Sequence, residues 1–336
     1  MIASLTLAVI VIAASPTPKP APLPANCAGA VAFVGTICVP PGSGKHPAIL
    51  LLGGSEGGNE MSLTAPRFAA AGYVAASVAY FGLPGLPRSL EEIPVETVGK
   101  ALDVIAARPD VDPNRLAIFG VSKGGEFALL AASIYPQIRA VVAAVPSPFA
   151  WQSIPRGAET TAHSSWTVGG KPVPFVPYSA AMGQVFAQAF QGHAPLDLRP
   201  AYDAAMKDNA AAIAPAMFHL ENIKGPIFFI AADDDHIWDS VAQSELGMQY
   251  LKAHNHPYSD AYEHFAGAGH VFLMATQQHA LTQIPIGPTT MLLGGTPQAN
   301  IRAAAQAWPQ IFTFLDAILK GIIAPGTTGY KETQDG

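Results

Sequence analysis

Apolar and polar positions along this chain arrive in blocks, not in strict alternation. Pro47-Ala-Ile-Leu-Leu-Leu52 is a continuous apolar run closed by Gly53-Gly54, the pattern of a strand buried on both faces of a parallel sheet. Ser62 to Ala71 reads as a helix stopped by Gly72, and Tyr73 to Ala79 as the next strand. After a Pro-punctuated loop from Pro84 to Pro94, Val98, Leu102 and Ile105 carry helical spacing across Val95–Ala107. Asp110–Asn114 reads as a turn, Arg115–Phe119 as a strand, Lys123–Ile134 as a helix and Arg139–Val145 as another strand. Strands and helices taking turns at this cadence predict an α/β fold with a mostly parallel, doubly wound sheet.

Between Pro146 and Gly225 the pattern breaks. Pro, Gly and aromatic residues are dense there, with amphipathic pieces at Gln184–Phe190 and Ala201–Ala212. The stretch is far too long for an ordinary connection, so it reads as an inserted cap. Pro226–Ala232 resumes the sheet, followed by a helix over Ser240–His254, a strand around Tyr258–His264 and a last helix from Ala299 to Leu319. The expected organisation is a leader with a Pro-rich linker over 1–24, one α/β domain over 25–325 carrying the 146–225 insertion, and a polar tail over 326–336.

Chemistry enters where the Arg115–Phe119 strand runs into its helix, at Gly120-Val-Ser-Lys-Gly124. Gly-x-Ser-x-Gly at a strand-to-helix turn is the nucleophile elbow of α/β-hydrolases. The serine takes a strained backbone position, so small residues must flank it, and its hydroxyl sits beside the amino end of a helix. A serine hydroxyl needs a base, and the base needs an orienting carboxylate. Asp233-Asp-Asp-His-Ile-Trp238 follows the strand ending at Ala232, and Asp235 is the expected acid, with Asp234 as the alternative. His270, in the glycine-rich turn Gly267-Ala-Gly-His270, is the expected base; the other histidines lie in loops, on helix faces or beside the acid. For the oxyanion hole, Lys123 supplies one backbone N–H, and the loop Gly53–Gly58 supplies another from Ser55 or Glu56. Trp151, Trp166, Phe175, Tyr178 and Phe186 of the insertion, together with Trp238, are candidates to line the substrate pocket, with packing inside the cap as the alternative.

Composition narrows the partners. Half of the 336 residues are apolar, 12% are charged and the net charge is −6 with no basic block, which points away from nucleic acid. The Asp233–Asp235 run lacks the spacing of a calcium loop, and Gly53–Gly58 lacks the ending of a phosphate-binding loop, so neither a metal nor a cofactor is expected. Met1 to Ala14 is apolar and too short to span a bilayer; it reads as a secretory segment, although no Lys or Arg precedes it. Export is the expectation, with a cytoplasmic or leader-anchored protein as the alternative, and no integral membrane domain after leader removal. Cys27 and Cys38 would close a small loop in an oxidising compartment and remain two thiols in the cytosol.

Taken together, several segments resemble one family. They are Ala48–Gly58, Gly72-Tyr-Val-Ala, Tyr80-Phe-Gly82 with Leu86-Pro87, Ile118-Phe-Gly-Val-Ser-Lys-Gly-Gly-Glu-Phe-Ala-Leu-Leu130, Ser165-Trp-Thr, Gly170–Phe175, Asp234-Asp-His-Ile-Trp238, Gly267–His270, and Gly294-Gly-Thr-Pro297 with Ala307-Trp-Pro309. Between roughly Lys45 and Leu319 the chain resembles the catalytic domain of the acyl-CoA thioesterases and bile-acid-CoA:amino-acid N-acyltransferases. That resemblance implies an α/β-hydrolase fold, a triad of Ser122, Asp235 and His270, and an acyl ester or thioester as substrate. The N-acyltransferases of bile acids carry cysteine at the nucleophile position, so Ser122 resembles the hydrolytic members. An esterase indifferent to coenzyme A and an acyltransferase to an amine or alcohol are the alternative readings.

Overall fold

The apolar run of Pro47–Leu52 becomes a central strand whose two faces feed two separate cores. The computed structural model describes residues 23–154 and 162–322. Its main sheet contains β1 (Cys27–Gly29), β2 (Gly35–Cys38), β3 (His46–Leu52), β4 (Val74–Val78), β5 (Val111–Val121), β6 (Ile138–Ala144), β7 (Ile227–Ala232) and β8 (Ala261–Phe265). These lie in the order β1-β2-β4-β3-β5-β6-β7-β8. β3 to β8 pair with one another in parallel, while β1 with β2 and β2 with β4 pair antiparallel at one edge.

Helices α1 (Ala65–Ala70), α2 (Glu96–Ala106) and α3 (Lys123–Ile134) precede the insertion. Within it lie α4 (Ala180–Gly192), α5 (Arg199–Asp208) and α6 (Ala210–Ala216), and after it come α7 (Ser240–Ala253) and α8 (Pro297–Leu319). Because side chains alternate across a strand, Leu50 and Leu52 pack with α2, α3 and Leu251 of α7, whereas Ile49 and Leu51 pack with Phe68 of α1 and Phe314 and Leu315 of α8. Burying both faces is what requires the continuous apolar run. Among the described residues no helix is long and apolar enough to cross a membrane.

Two expectations are corrected in detail. Of the expected turn Asp110–Asn114, only Asp110 is a turn residue and the rest is the irregular start of β5: Val111 pairs with His46, and a register shift follows between His46 and Ala48. The amphipathic piece at 201–212 is two helices, because Asn209 leaves the helical region at φ −116° and ψ 31° and its side chain donates to the Pro177 carbonyl at 3.1 Å. Cys27 and Cys38 face each other across the β1–β2 pair and form a disulfide. The leader assigned to 1–24 and the tail at 326–336 fall almost wholly or wholly outside the described residues.

The insertion forms its own apolar cluster. Phe149, Trp151, Met182, Tyr202 and Ala216 pack together with Ile237, Trp238 and Leu293, which belong to the loops beyond the carboxyl edge of the sheet. His256 stitches the end of the insertion to the main sheet. Its Nδ1 is 2.6 Å from Asp260 Oδ2 and its Nε2 is 3.0 Å from the Ile223 carbonyl, while Asp260 Oδ1 accepts the Ile227 N–H at 2.9 Å. Burial disfavours the imidazolium, but the Asp260 carboxylate and the Ile223 carbonyl outweigh it and raise the His256 pKa.

A raised folded-state pKa gives stability that is complete below the unfolded histidine value of about 6.5 and is lost as pH rises through the folded value. Unfolding in urea should therefore show a fall in stability from pH 6 toward pH 9 that is shallower in His256→Asn. Parallel curves for the two proteins would remove His256 from the account.

Candidate active site

Three strands deliver the expected side chains to one edge. Ser122 follows β5, Asp235 follows β7 and His270 follows β8, so all three lie at the carboxyl ends of parallel strands, where open α/β sheets present their clefts. Ser122 sits at φ 57° and ψ −124°, outside the ordinary regions for a residue with a side chain. The surroundings enforce this strain. A Cβ on Gly120 would lie 2.0 Å from the Gly124 carbonyl oxygen, and one on Gly124 would lie 2.2 Å from the Gly53 carbonyl oxygen. Val145, a β-branched residue at φ 41°, is held beside this turn by its N–H to the Ile230 carbonyl and by Trp238 Nε1 donating to its own carbonyl.

His270 Nε2 lies 2.8 Å from Ser122 Oγ, and His270 Nδ1 lies 2.8 Å from Asp235 Oδ2. An ionised carboxylate can only accept, so the Nδ1 proton faces Asp235 and Nε2 is left to accept from the serine hydroxyl. Ser122, His270 and Asp235 are 7%, 6% and 1% exposed, which shields the relay from bulk water. Asp235 Oδ1 accepts the N–H groups of Ile237 at 2.9 Å and Trp238 at 3.3 Å. Its neighbours diverge: Asp233 bonds His264, and Asp234 reaches His236 and the Gly295 N–H. Geometry thus separates Asp235 from the alternative Asp234.

The acid and base turns are locked to each other through glycine. A Cβ on Gly294, at φ +83°, would fall 1.7 Å from the Asp234 carbonyl oxygen, and one on Gly269 would fall 2.1 Å from the Gly294 carbonyl oxygen. The His270 N–H donates to the Leu293 carbonyl at 2.7 Å, and the Gly269 N–H donates to Asn300 Oδ1 at 2.8 Å. The insertion joins in through Arg199, which donates to the Asp235 carbonyl at 3.3 Å and also pairs with Asp203 and Asp239.

On the oxyanion side, the Lys123 N–H opens α3 beside Ser122. Of the two expected loop donors, Glu56 folds its carboxylate back on the loop: Oε1 accepts the Gly54 N–H at 2.9 Å, and the Glu56 N–H also faces the carboxylate. Burial pushes the Glu56 carboxyl up, with the two N–H groups and His270 acting in the opposite direction.

The pocket-lining expectation also changes. Trp151, Trp166 and Trp238 are fully buried, with ring N–H groups bonded to Gln243 Oε1, Glu126 Oε1 and the Val145 carbonyl. Trp166 stacks on Phe127 at 4.2 Å, and Trp238 meets the His270 ring edge-on at 5.6 Å. They brace the site from behind. Phe175, Tyr178 and Phe186 are only partly buried, and Tyr178 bonds the Gln152 carbonyl at 3.2 Å.

Lys123-Gly-Gly-Glu126 builds a buried network that no local pattern in the chain signals. The Lys123 ammonium lies 2.8 Å from both Glu126 oxygens and 2.8 Å from Ser165 Oγ, and Glu126 Oε1 also accepts the Trp151 N–H and Trp166 Nε1. Burial pushes the lysine pKa down and the glutamate pKa up, and their attraction opposes both shifts. This network fastens the insertion to the elbow helix.

The comparisons with known proteins agree with this architecture. The family model described as BAAT / acyl-CoA thioester hydrolase C terminal matches residues 93–321. Human acyl-coenzyme A thioesterase 1 is 25% identical over 292 residues, covering 85% of this chain and 63% of that protein. Rat acyl-coenzyme A amino acid N-acyltransferase 2 is 26% identical over 287 residues, covering 83% of this chain and 62% of that protein. The chain therefore spans less than two thirds of either relative. Among solved structures, an esterase from Pyrobaculum calidifontis superposes with a TM-score of 0.51 at 16% identity, covering 86% of this chain and 82% of that one. A putative dienelactone hydrolase from Klebsiella pneumoniae gives 0.50 at 16% identity, covering 84% and 91%. At that identity the likeness concerns the fold alone, and the fold is that of the α/β-hydrolases.

Removing one partner of a buried ion pair leaves an uncompensated charge, at a cost of about 3–5 kcal/mol. Glu126→Ala should lower the urea-unfolding free energy by about that amount. The double variant Lys123→Met/Glu126→Leu should lose distinctly less, and an equal loss would contradict the buried-charge account.

Proposed function

The chain belongs to the BAAT / acyl-CoA thioester hydrolase C-terminal family, and from that premise we propose that it is a serine hydrolase that cleaves acyl thioesters through an acyl-enzyme. The observation that carries the reading is the unbroken relay of two 2.8 Å contacts from Ser122 through His270 to Asp235. In the first step the Ser122 hydroxyl proton passes to His270 Nε2 as Oγ bonds to the substrate's carbonyl carbon. Asp235 holds the imidazole orientation and stabilises the imidazolium, and the N–H groups of Lys123 and Ser55 receive the oxyanion. Collapse of the tetrahedral intermediate breaks the carbon–sulfur bond, and the thiolate leaves with the proton from His270. Water then attacks the acyl-enzyme, giving its proton to His270, and the second collapse returns that proton to Ser122 Oγ as the carboxylic acid departs.

The thioester as substrate class is supported by the relatives named acyl-coenzyme A thioesterases. The serine at position 122 supports water as the usual acceptor. The Cys27–Cys38 disulfide supports work outside a reducing cytosol. Thiol labelling of protein recovered from each compartment tests that placement, and free thiols in the exported pool would end it.

Ser122→Ala should reduce kcat on a thioester by about 10⁴-fold or more, and Asp235→Asn by about 10³- to 10⁴-fold, with both proteins melting near the parent temperature. Hydrolysis of an acyl-CoA should exceed that of the oxygen ester with the same acyl chain. Undiminished turnover by Ser122→Ala would sink the mechanism, whereas a preference for the oxygen ester would sink the substrate class alone. Added glycine should leave free acid as the main product; a dominant amide would transfer the chain to the acyltransferase reading.

A further inference from the structure

Gly53, Gly54 and Ser55 form the turn that must aim a backbone N–H over the nucleophile, and glycine has little intrinsic preference to keep such a turn in place. Two side chains that no step above uses grip this turn. The Tyr80 hydroxyl donates to the Gly53 carbonyl at 2.6 Å and to the Gly54 carbonyl at 3.2 Å. Glu56 Oε1 accepts the Gly54 N–H at 2.9 Å. The peptide between residues 53 and 54 is thus held at both ends, its oxygen by Tyr80 and its N–H by Glu56. The next peptide has its oxygen held by Tyr80. In a trans peptide the C=O and N–H point in opposite directions, so the Ser55 N–H is turned away from the Tyr80 hydroxyl.

Gly54 borders the nucleophile directly. The position a Cβ would take on it is 3.2 Å from Ser122 Cβ and 2.7 Å from Glu56 Oε2. The Tyr80 ring is fixed in turn, with Phe81, Phe127 and Trp166 at centroid distances of 5.2, 5.0 and 5.9 Å. We propose that Tyr80 and Glu56 are positioning residues of the oxyanion hole, clamping Gly53-Gly54-Ser55 so that the Ser55 N–H is aimed at the oxyanion formed on Ser122. The proposal rests on the serine-hydrolase reading. Burial, and then the charges of Glu56 and Glu126, raise the Tyr80 pKa well above the ordinary phenol value, which keeps the hydroxyl a donor.

A misplacement of about 1 Å in such a group costs on the order of 10²-fold in rate. Tyr80→Phe keeps the ring and removes the hydroxyl. It should lower kcat by about 30- to 100-fold with KM within about twofold. A structural role alone would not alter recognition of the oxyanion, so inhibition by a trifluoromethyl ketone and by the matching methyl ketone is measured alongside. The trifluoromethyl ketone, which forms a hemiketal oxyanion on the serine, should weaken by a similar factor while the methyl ketone holds. Glu56→Gln retains an acceptor oxygen and should lose less than Glu56→Ala; if Glu56→Ala does not fold, Tyr80→Phe and Glu56→Gln carry the test. Wild-type kcat and trifluoromethyl ketone affinity in Tyr80→Phe, or an equal weakening of both ketones, would overturn the clamp. Labelling of wild-type Ser122 by a fluorophosphonate separates the two levels. Labelling together with an unaffected Tyr80→Phe removes the clamp alone, and no labelling of the wild type removes the serine reading and the clamp with it.

Discussion

At the elbow, backbone meets backbone with no room for a side chain. Gly124 stands where a Cβ would lie 2.2 Å from the Gly53 carbonyl oxygen and 2.4 Å from that of Leu52, so the start of α3 can touch the end of β3 only through a bare α-carbon. Much follows from that contact. It brings the strained Ser122 beside the Gly53–Gly58 loop, which puts the Lys123 N–H and the Ser55 side of that loop next to each other. It also places the loop against the Tyr80 hydroxyl. A side chain at Gly120 or Gly124 would part these pieces, because its Cβ would meet backbone at 2.0 or 2.2 Å.

The same economy of volume governs the other half of the site. Asp235 and His270 are delivered by different strands, and what keeps them 2.8 Å apart is a set of backbone contacts through Gly269 and Gly294. Around this rigid frame the insertion adds ionic and aromatic fastening. Arg199 ties it to the acid turn, the Lys123–Glu126 pair ties it to the elbow helix, and Trp238 braces the imidazole. Tight sites made of glycine have little side-chain packing of their own, and here the surrounding polar network supplies the restraint.

How much of this was legible in the residues depended on the range of the interaction. The sheet and its flanking helices were readable because burial on both faces writes continuous apolar runs such as Pro47–Leu52. Ser122, Asp235 and His270 were readable because each occupies a turn with its own local chemistry. The short β1–β2 pair was not: Cys27–Gly29 and Gly35–Cys38 are too brief to carry a pattern, and β-pairing is a non-local fact. Nothing in Gly-Gly-Ser-Glu-Gly-Gly says that the Glu56 side chain folds back onto Gly54. The tryptophans left pocket wall and cap core both open, because a dense aromatic insertion looks the same whether it faces a ligand or its own core. Only contacts such as Trp166 to Glu126 distinguish the two.

The central claim is that Ser122 carries the acyl group between its arrival and its release. Rapid quenching of turnover on an acyl-CoA, followed by mass analysis of the peptide containing Ser122, examines that claim directly. The account predicts a mass increase equal to the acyl group on Ser122, appearing before steady state and decaying at the turnover rate once substrate is exhausted. Carboxylic acid accumulating at full rate while that peptide remains unmodified would contradict it.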